Sequence, residues 1–153
     1  MWEGACVVHE EFKVRGIQDL KHIYEDAALL AHPESPASVA ELADFVGSTS
    51  QIIQAARDLP NDIFIIATDQ GIFHKLKEQC PDKDFLIAPT AGSGAACRSC
   101  ANCPWMAMNE LQSLADVFLQ PVQEILVDES LAKRAMIPLR RMLEFSAQIR
   151  SNG

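Results

Sequence analysis

The chain has 153 residues, a length that fits one domain with a proper core. It is 48% hydrophobic and 22% charged, a balance that excludes a largely disordered chain. The net charge is −8 with no Lys/Arg run, which argues against a nucleic-acid or anionic-membrane surface; no apolar run approaches the roughly 18 residues of a membrane span.

In chain order, "MWEGACVVHEEF" is acidic and lacks an apolar core, so no secretory signal is expected and the cytosol is the default compartment. "HEEFKVRGIQDLKHIYED" places Phe12, Ile17, Leu20 and Ile23 near helical spacing. "ALLAHP" is a short apolar run before Pro33 and predicts a buried strand. "SPASVAELADFV" predicts a helix, with Ser35 as N-cap and Pro36 at the first helical position. "GSTSQIIQAARDL" is a turn leading into another helix. "DIFIIAT" reads as a buried strand, "QGIFHKLKEQC" as a helix and "DFLIAPT" as a further strand. Strands alternating with helices predict a three-layer α/β domain with a parallel sheet. Ligands collect at the carboxyl ends of such strands, here "HPES", "ATDQG" and "APTAGSG".

Beyond residue 103, "PWMAMNELQSLADVFL" predicts a helix starting at Pro104, with Met108, Leu111, Leu114, Ala115 and Phe118 on one stripe. "DESLAKRAM" and "PLRRMLEFSAQIR" predict two helical pieces split before Pro138. The helical C-terminal tail is long for the small sheet it follows. The expected division is 1–95 for the α/β domain and 96–153 for the thiol loop and C-terminal helices.

Five cysteines without an export signal suggest metal or redox chemistry more than a disulfide framework. In "GAACRSCANCPW", Cys97, Cys100 and Cys103 stand three apart and Pro104 follows the last. Thiolates so spaced on an irregular loop can converge on one centre. On spacing alone three readings stand: an iron–sulfur cluster, a tetrahedral zinc, or buried or disulfide-linked cysteines. Gly92 and Gly94 suit a loop that bends tightly.

Three further stretches offer polar chemistry. Cys6 and His9 lie three apart at a predicted helix start, where a thiolate gains from the helix dipole; a small buried thiol beside a surface histidine is the blander reading and is favoured on that stretch alone. His32 and Glu34 sit just past a strand end, placed for acid–base work, and Glu34 would equally complement the dipole of the next helix. The "GSTS" hydroxyls and amides at a helix start would receive a phosphate or carboxylate, or simply cap the helix. His22 and His74, beside Lys21 and Lys75, read as solvated, Cys80 as structural and Trp105 as packing.

Taken together, "GACVVHEEF", "HPES", "VGSTSQII", "IIATDQGIFHKL", "APTAGSGAACRSCANCPWMAMN" and "PLRRMLEF" resemble, in family order, the quinolinate synthases of bacterial NAD biosynthesis. The resemblance implies one of three similar α/β domains around a pseudo-threefold axis, each giving one cysteine to a [4Fe–4S] cluster whose fourth iron serves as a Lewis acid. It implies a transferase that condenses iminoaspartate (iminosuccinate) with dihydroxyacetone phosphate to quinolinate, with L-aspartate oxidase as a source of iminoaspartate. By motif, Cys6 and Cys103 are cluster ligands, and Cys97 and Cys100 are left as a redox pair. Glu34 is the proton-transfer base, His9 faces the same cavity as a catalytic residue, and His32, Glu34 and Thr49 bind substrate. The resemblance covers only the C-terminal part of the enzyme. The third cysteine ligand lies upstream of everything in this chain, and the tail packs on the first domain. The chain alone is therefore expected to be inactive and poorly soluble, with Leu139, Met142 and Leu143 unpartnered. The competing functional readings are a small iron–sulfur or zinc module built on Cys97, Cys100 and Cys103, and an α/β fragment with no activity of its own.

Overall fold

A computed structural model of the chain describes residues 6–90, 101–119 and 124–151. Two compact units form, Met1–Asn109 and Glu110–Gly153. In the first, α1 (Val7–Glu10) and α2 (Val14–Ile23) precede β1 (Ala28–Ala31). Then come α3 (Ala37–Ala40), β2 (Phe45–Val46), α4 (Thr49–Asp58), β3 (Ile63–Ala67), α5 (Ile72–Gln79) and β4 (Asp84–Ile87). The strands make one sheet in the order β2-β1-β3-β4, with every neighbouring pair parallel.

The continuous apolar runs have a simple cause: both faces of the sheet are covered. Successive strand residues point to opposite faces. Leu29, Ala31, Ile65 and Ala67 join Val8, Phe12, Ile17 and Val39 on one face, under α1, α2 and α3. Ala28, Leu30, Phe64 and Ile66 join Ile52, Ala56, Ile72 and Leu76 on the other, under α4 and α5. The three-layer parallel α/β domain is thus as expected. Helix α2 approaches the end of β4 so closely that a Cβ on Gly16 would lie 2.8 Å from Pro89 Cβ. At the amino end of β1, Asp44 accepts hydrogen bonds from the Leu29 N–H (2.7 Å) and the Lys21 ammonium (2.8 Å). Burial alone would raise the Asp44 carboxyl; those two donors outweigh it and hold the group below the usual carboxylate range.

Four local expectations need correction. The single helix over 9–26 is two, because Phe12 leaves the helical path to bridge antiparallel to Thr90 while Lys13 N–H donates to Pro89 O (3.2 Å). The helix expected over "SPASVAELADFV" is one turn, α3, with Pro36 rather than Ser35 as its N-cap residue. Its remainder turns back through Asp44, and Phe45–Val46 pairs with Leu30–Ala31 as an edge strand. The helix expected from Pro104 begins only at Leu111; before it Met106–Met108 is a 3-10 turn, and Trp105 is 72% exposed rather than packed.

The second unit holds α6 (Leu111–Leu119) and α7 (Glu129–Ser151). Helix α7 runs without a break through Pro138, where two pieces were expected. Proline there removes one backbone bond, and the Ala, Leu, Arg, Met and Glu residues on both sides are strong helix formers that carry the helix past it. Asp128 caps its start by accepting from the Leu131 N–H (3.0 Å). Among the described residues of this unit none is buried, and Phe118, Leu139, Met142 and Leu143 are all exposed. No helix among the described residues is long and apolar enough to cross a membrane.

Candidate functional site

From β1 the chain steps outward to β2, then returns across β1 to β3. The strand order therefore reverses between β1 and β3, and a parallel sheet opens its ligand crevice at the carboxyl ends of such a pair. The segments leaving these two strands carry His32 and Glu34 on one side and Thr68 and Asp69 on the other.

His32 N–H donates to Ala67 O (3.1 Å), extending the β1–β3 ladder by one residue. Pro33 then turns the chain, and Ser35 N–H returns to His32 O (2.9 Å). Within this turn Glu34 N–H donates to His32 Nδ1 (3.3 Å). That bond puts the ring proton of neutral His32 on Nε2, where it is available as a donor.

Cys6 and His9 come from the other direction. Helix α1 is a single turn with Cys6 as its N-cap residue, and Glu10 N–H closes onto Cys6 O (3.0 Å). Positions three apart share a face of such a turn, so Cys6 and His9 point into the same space. His9 is 6% exposed. Its Nε2 lies 3.0 Å from Thr68 Oγ1, its Nδ1 lies 3.1 Å from Glu34 Oε2, and its ring stacks on His32 with centroids 4.5 Å apart. The same carboxylate oxygen is 3.6 Å from His32 Nδ1. Potential ligand atoms of Cys6, His9 and Glu34 all lie within 4.8 Å of one another.

Burial, followed by the neighbouring His32, lowers the His9 pKa below the usual imidazole value; the attractions of Glu34 and Asp69 oppose this and do not overcome it. A lowered pKa means the unfolded chain takes up a proton first. The stability tied to His9 is therefore fully present above about pH 6.5 and is lost as pH falls through the lowered folded value. Asp44 acts in the same direction lower on the scale. Urea midpoints are expected to decline from pH 7 to pH 5, and His9→Gln is expected to flatten that decline; a midpoint that rises on acidification over this interval contradicts the assignment.

Thr49 opens α4. The turn before it is anchored by Gly47 N–H to Ala31 O (3.1 Å) and by Ser48 N–H to Gln51 Oε1 (2.8 Å). Thr49 thus stands at the end of β1 and lines a cavity of about 270 Å³ together with Ile53, Thr68, Asp69, Ile72 and Lys75. Thr68 belongs both to this cavity and to the His9 hydrogen bond, so the two regions adjoin.

Cys103 reaches the same end of the sheet through Asp69. Asp69 Oδ2 accepts from Cys103 N–H (2.8 Å) and Oδ1 from Gly71 N–H (2.8 Å), while Gln70 N–H donates to Ala101 O (2.8 Å). Ala101, two residues before Cys103, holds φ 45°, a left-handed conformation. Cys6 and Cys103 are both free and half-buried, and both pack against the core cluster under α1 and α2. Cys97 and Cys100 lie outside the described residues. His22 and His74 are exposed, and Cys80 is buried against α5 and β4 residues.

Structure thus gathers Cys6, His9, His32 and Glu34 into one group, with Thr49 and Cys103 placed by neighbouring strand ends. Reading the sequence passed over Thr68 and Asp69. The "ATDQG" strand end was the signal that they lie near a ligand crevice, but Thr and Asp after a strand are also ordinary turn residues. Residues 1–144 match the family model for the quinolinate synthetase A protein, and the chain belongs to that family, whose enzymes make quinolinate in NAD biosynthesis.

Proposed function

We propose that this chain supplies the cluster-anchoring and proton-transfer part of a quinolinate synthase acting on iminoaspartate and dihydroxyacetone phosphate. The observation that carries this reading is the convergence of Cys6, His9, His32 and Glu34 at the strand-order reversal. A [4Fe–4S] cluster fits the donors present, since Cys6 and Cys103 are free thiols at the same end of the sheet. When bound, with a third cysteine from outside this chain, the cluster supplies a Lewis-acidic iron for a substrate oxygen.

The chain's own residues then divide the work. Glu34 is the proton-transfer base, its carboxylate oriented between two imidazoles. His32 offers its Nε2–H to a substrate oxygen. His9, held by Thr68, shapes the wall of the crevice beside the Glu34 carboxylate. Thr49, at the first position of α4, receives an anionic substrate group with the helix N-terminus. Cys97 and Cys100 form a reversible disulfide pair, their spacing being that of thiol redox motifs. The exposed apolar residues of α6 and α7 pack on a further domain of the family. The working compartment is the cytoplasm, and L-aspartate oxidase supplies the unstable imine.

Quinolinate formation after anaerobic cluster reconstitution tests the reading. The chain alone is expected to make none, and the chain joined to the family segment bearing the third cysteine is expected to make it. Product from the chain alone, or none from the joined protein with its cluster in place, overturns the proposal.

A further inference from the structure

We infer that Cys6, His9 and Glu34 form a mononuclear zinc site, open at one coordination position, in the protein that carries no iron–sulfur cluster. The two sites share Cys6, so occupancy of one excludes the other.

The first support is the donor set. One sulfur, one imidazole nitrogen and one carboxylate oxygen lie within 4.8 Å of one another. Zinc takes such mixed ligands at about 2.0–2.3 Å, and three protein ligands with a fourth position open is the arrangement of its reactive sites. Ligand atoms around a tetrahedral ion of that size stand about 3.3–3.7 Å apart. His9 Nδ1 and Glu34 Oε2, at 3.1 Å, stand slightly inside that separation. The widest spacing in the group, at most 4.8 Å, has to close by about 1 Å, and Glu34, 58% exposed, has room to adjust.

The second support is independent of spacing. His9 Nδ1 is buried and has no hydrogen-bond partner among the described residues. The approach of Glu34 Oε2 has the distance of an ion pair without the geometry of a hydrogen bond. Nδ1 and Oε2 at 3.1 Å attract only with a positive centre between them, either a proton on Nδ1 or a metal ion in its place. Nε2 is engaged with Thr68 Oγ1 at 3.0 Å. In the tautomer whose Nε2–H donates to that hydroxyl, the Nδ1 lone pair is open toward Cys6 and Glu34. A metal-bound imidazole whose other nitrogen is held by an outer partner has this same arrangement. His32, stacked on His9 with its Nδ1 occupied by Glu34 N–H, is not a ligand. Binding converts the Cys6 thiol to a zinc thiolate and releases its proton to solvent, with no change of oxidation state.

Cobalt(II) reports such a site through its absorption spectrum. The protein used is the chain with Cys97, Cys100 and Cys103 all changed to Ser, which removes the thiol loop as a competing chelate. One equivalent of cobalt is expected to give tetrahedral d–d bands and a single-thiolate charge-transfer band, both bleached by zinc. Cys6→Ser is expected to remove the charge-transfer band. Thr68→Val keeps the side-chain shape and deletes the outer partner; it is expected to weaken cobalt binding about 10–100-fold. Glu34→Gln changes an exposed side chain that the fold does not need, and it is expected to weaken binding by at least about tenfold. Should Cys6→Ser not fold, Glu34→Gln and Thr68→Val decide alone. No cobalt bound by the thiol-loop variant, or affinities unchanged in Glu34→Gln and Thr68→Val, overturns the site. The measurement uses no cluster and no substrate, so its failure leaves the quinolinate synthase reading standing.

Discussion

Cys6→Ser and Cys103→Ser, each made in the complete enzyme, are expected to take bound iron from about four per chain to near zero and to abolish quinolinate formation. Each removes one of three anchors in the proposed arrangement. A serine hydroxyl is shorter and harder than a thiolate and does not replace it toward iron. Cys6 sits at the start of α1 with its carbonyl accepting from Glu10 N–H, and Cys103 donates its own N–H to Asp69, so each backbone is tethered at its present position. Cys97→Ser and Cys100→Ser are expected to keep both iron and activity under reducing conditions. The local-chelate reading of Cys97, Cys100 and Cys103 forecasts the reverse. Under it, iron disappears with Cys97→Ser or Cys100→Ser and survives Cys6→Ser. Iron analysis and the visible charge-transfer spectrum of the four variants, purified anaerobically, separate the two; iron retained by Cys6→Ser sinks the family-based ligand set.

Why Cys6 belongs to the site is clear only in three dimensions. Spacing favoured a small buried thiol beside a surface histidine, whereas His9 is buried and reaches Thr68, 59 residues away. The strands were legible because Leu29–Leu30 and Phe64–Ile66 are buried on both faces, and such burial writes itself as an unbroken apolar run. His32 and Glu34 were legible because they directly follow one of those runs. Strand β2 was not, since two residues, Phe45–Val46, carry no period and owe their conformation to pairing with Leu30–Ala31. The break between α1 and α2 was hidden for a related reason. Phe12 fits the helical stripe, and its bridge to Thr90 spans most of the domain. Asp69 was silent in the sequence because its role is to hold the backbone of a residue 34 positions later. Local signals report local forces; the parts of the site made by long-range hydrogen bonds had none to report.

Glu34→Gln carries the second large effect. Its carboxylate oxygen lies 3.1 Å from His9 Nδ1 and 3.6 Å from His32 Nδ1, at the mouth of the crevice and 58% exposed. An amide keeps the shape and the hydrogen-bonding reach of this side chain and cannot accept a proton. General acid–base catalysis typically contributes about 10²–10⁴-fold, so turnover of the complete enzyme is expected to fall by about that factor. KM is expected to change less, because Gln still hydrogen-bonds and the His32 donor is untouched. Iron content is expected to be unchanged, since the cluster is anchored by thiols. The competing role for Glu34, complementing the dipole of the next helix, is weakened by the structure: α3 is a single turn, Ala37–Ala40, with Pro36 before it. Even a full dipole contribution is about 0.3–1 kcal/mol of stability and leaves the rate nearly intact. Single-turnover kinetics paired with a thermal melt distinguish the two. A wild-type rate with a lowered melting temperature rules out Glu34 as the base. A rate loss of about 10²-fold or more with an unmoved melting temperature assigns the proton to Glu34.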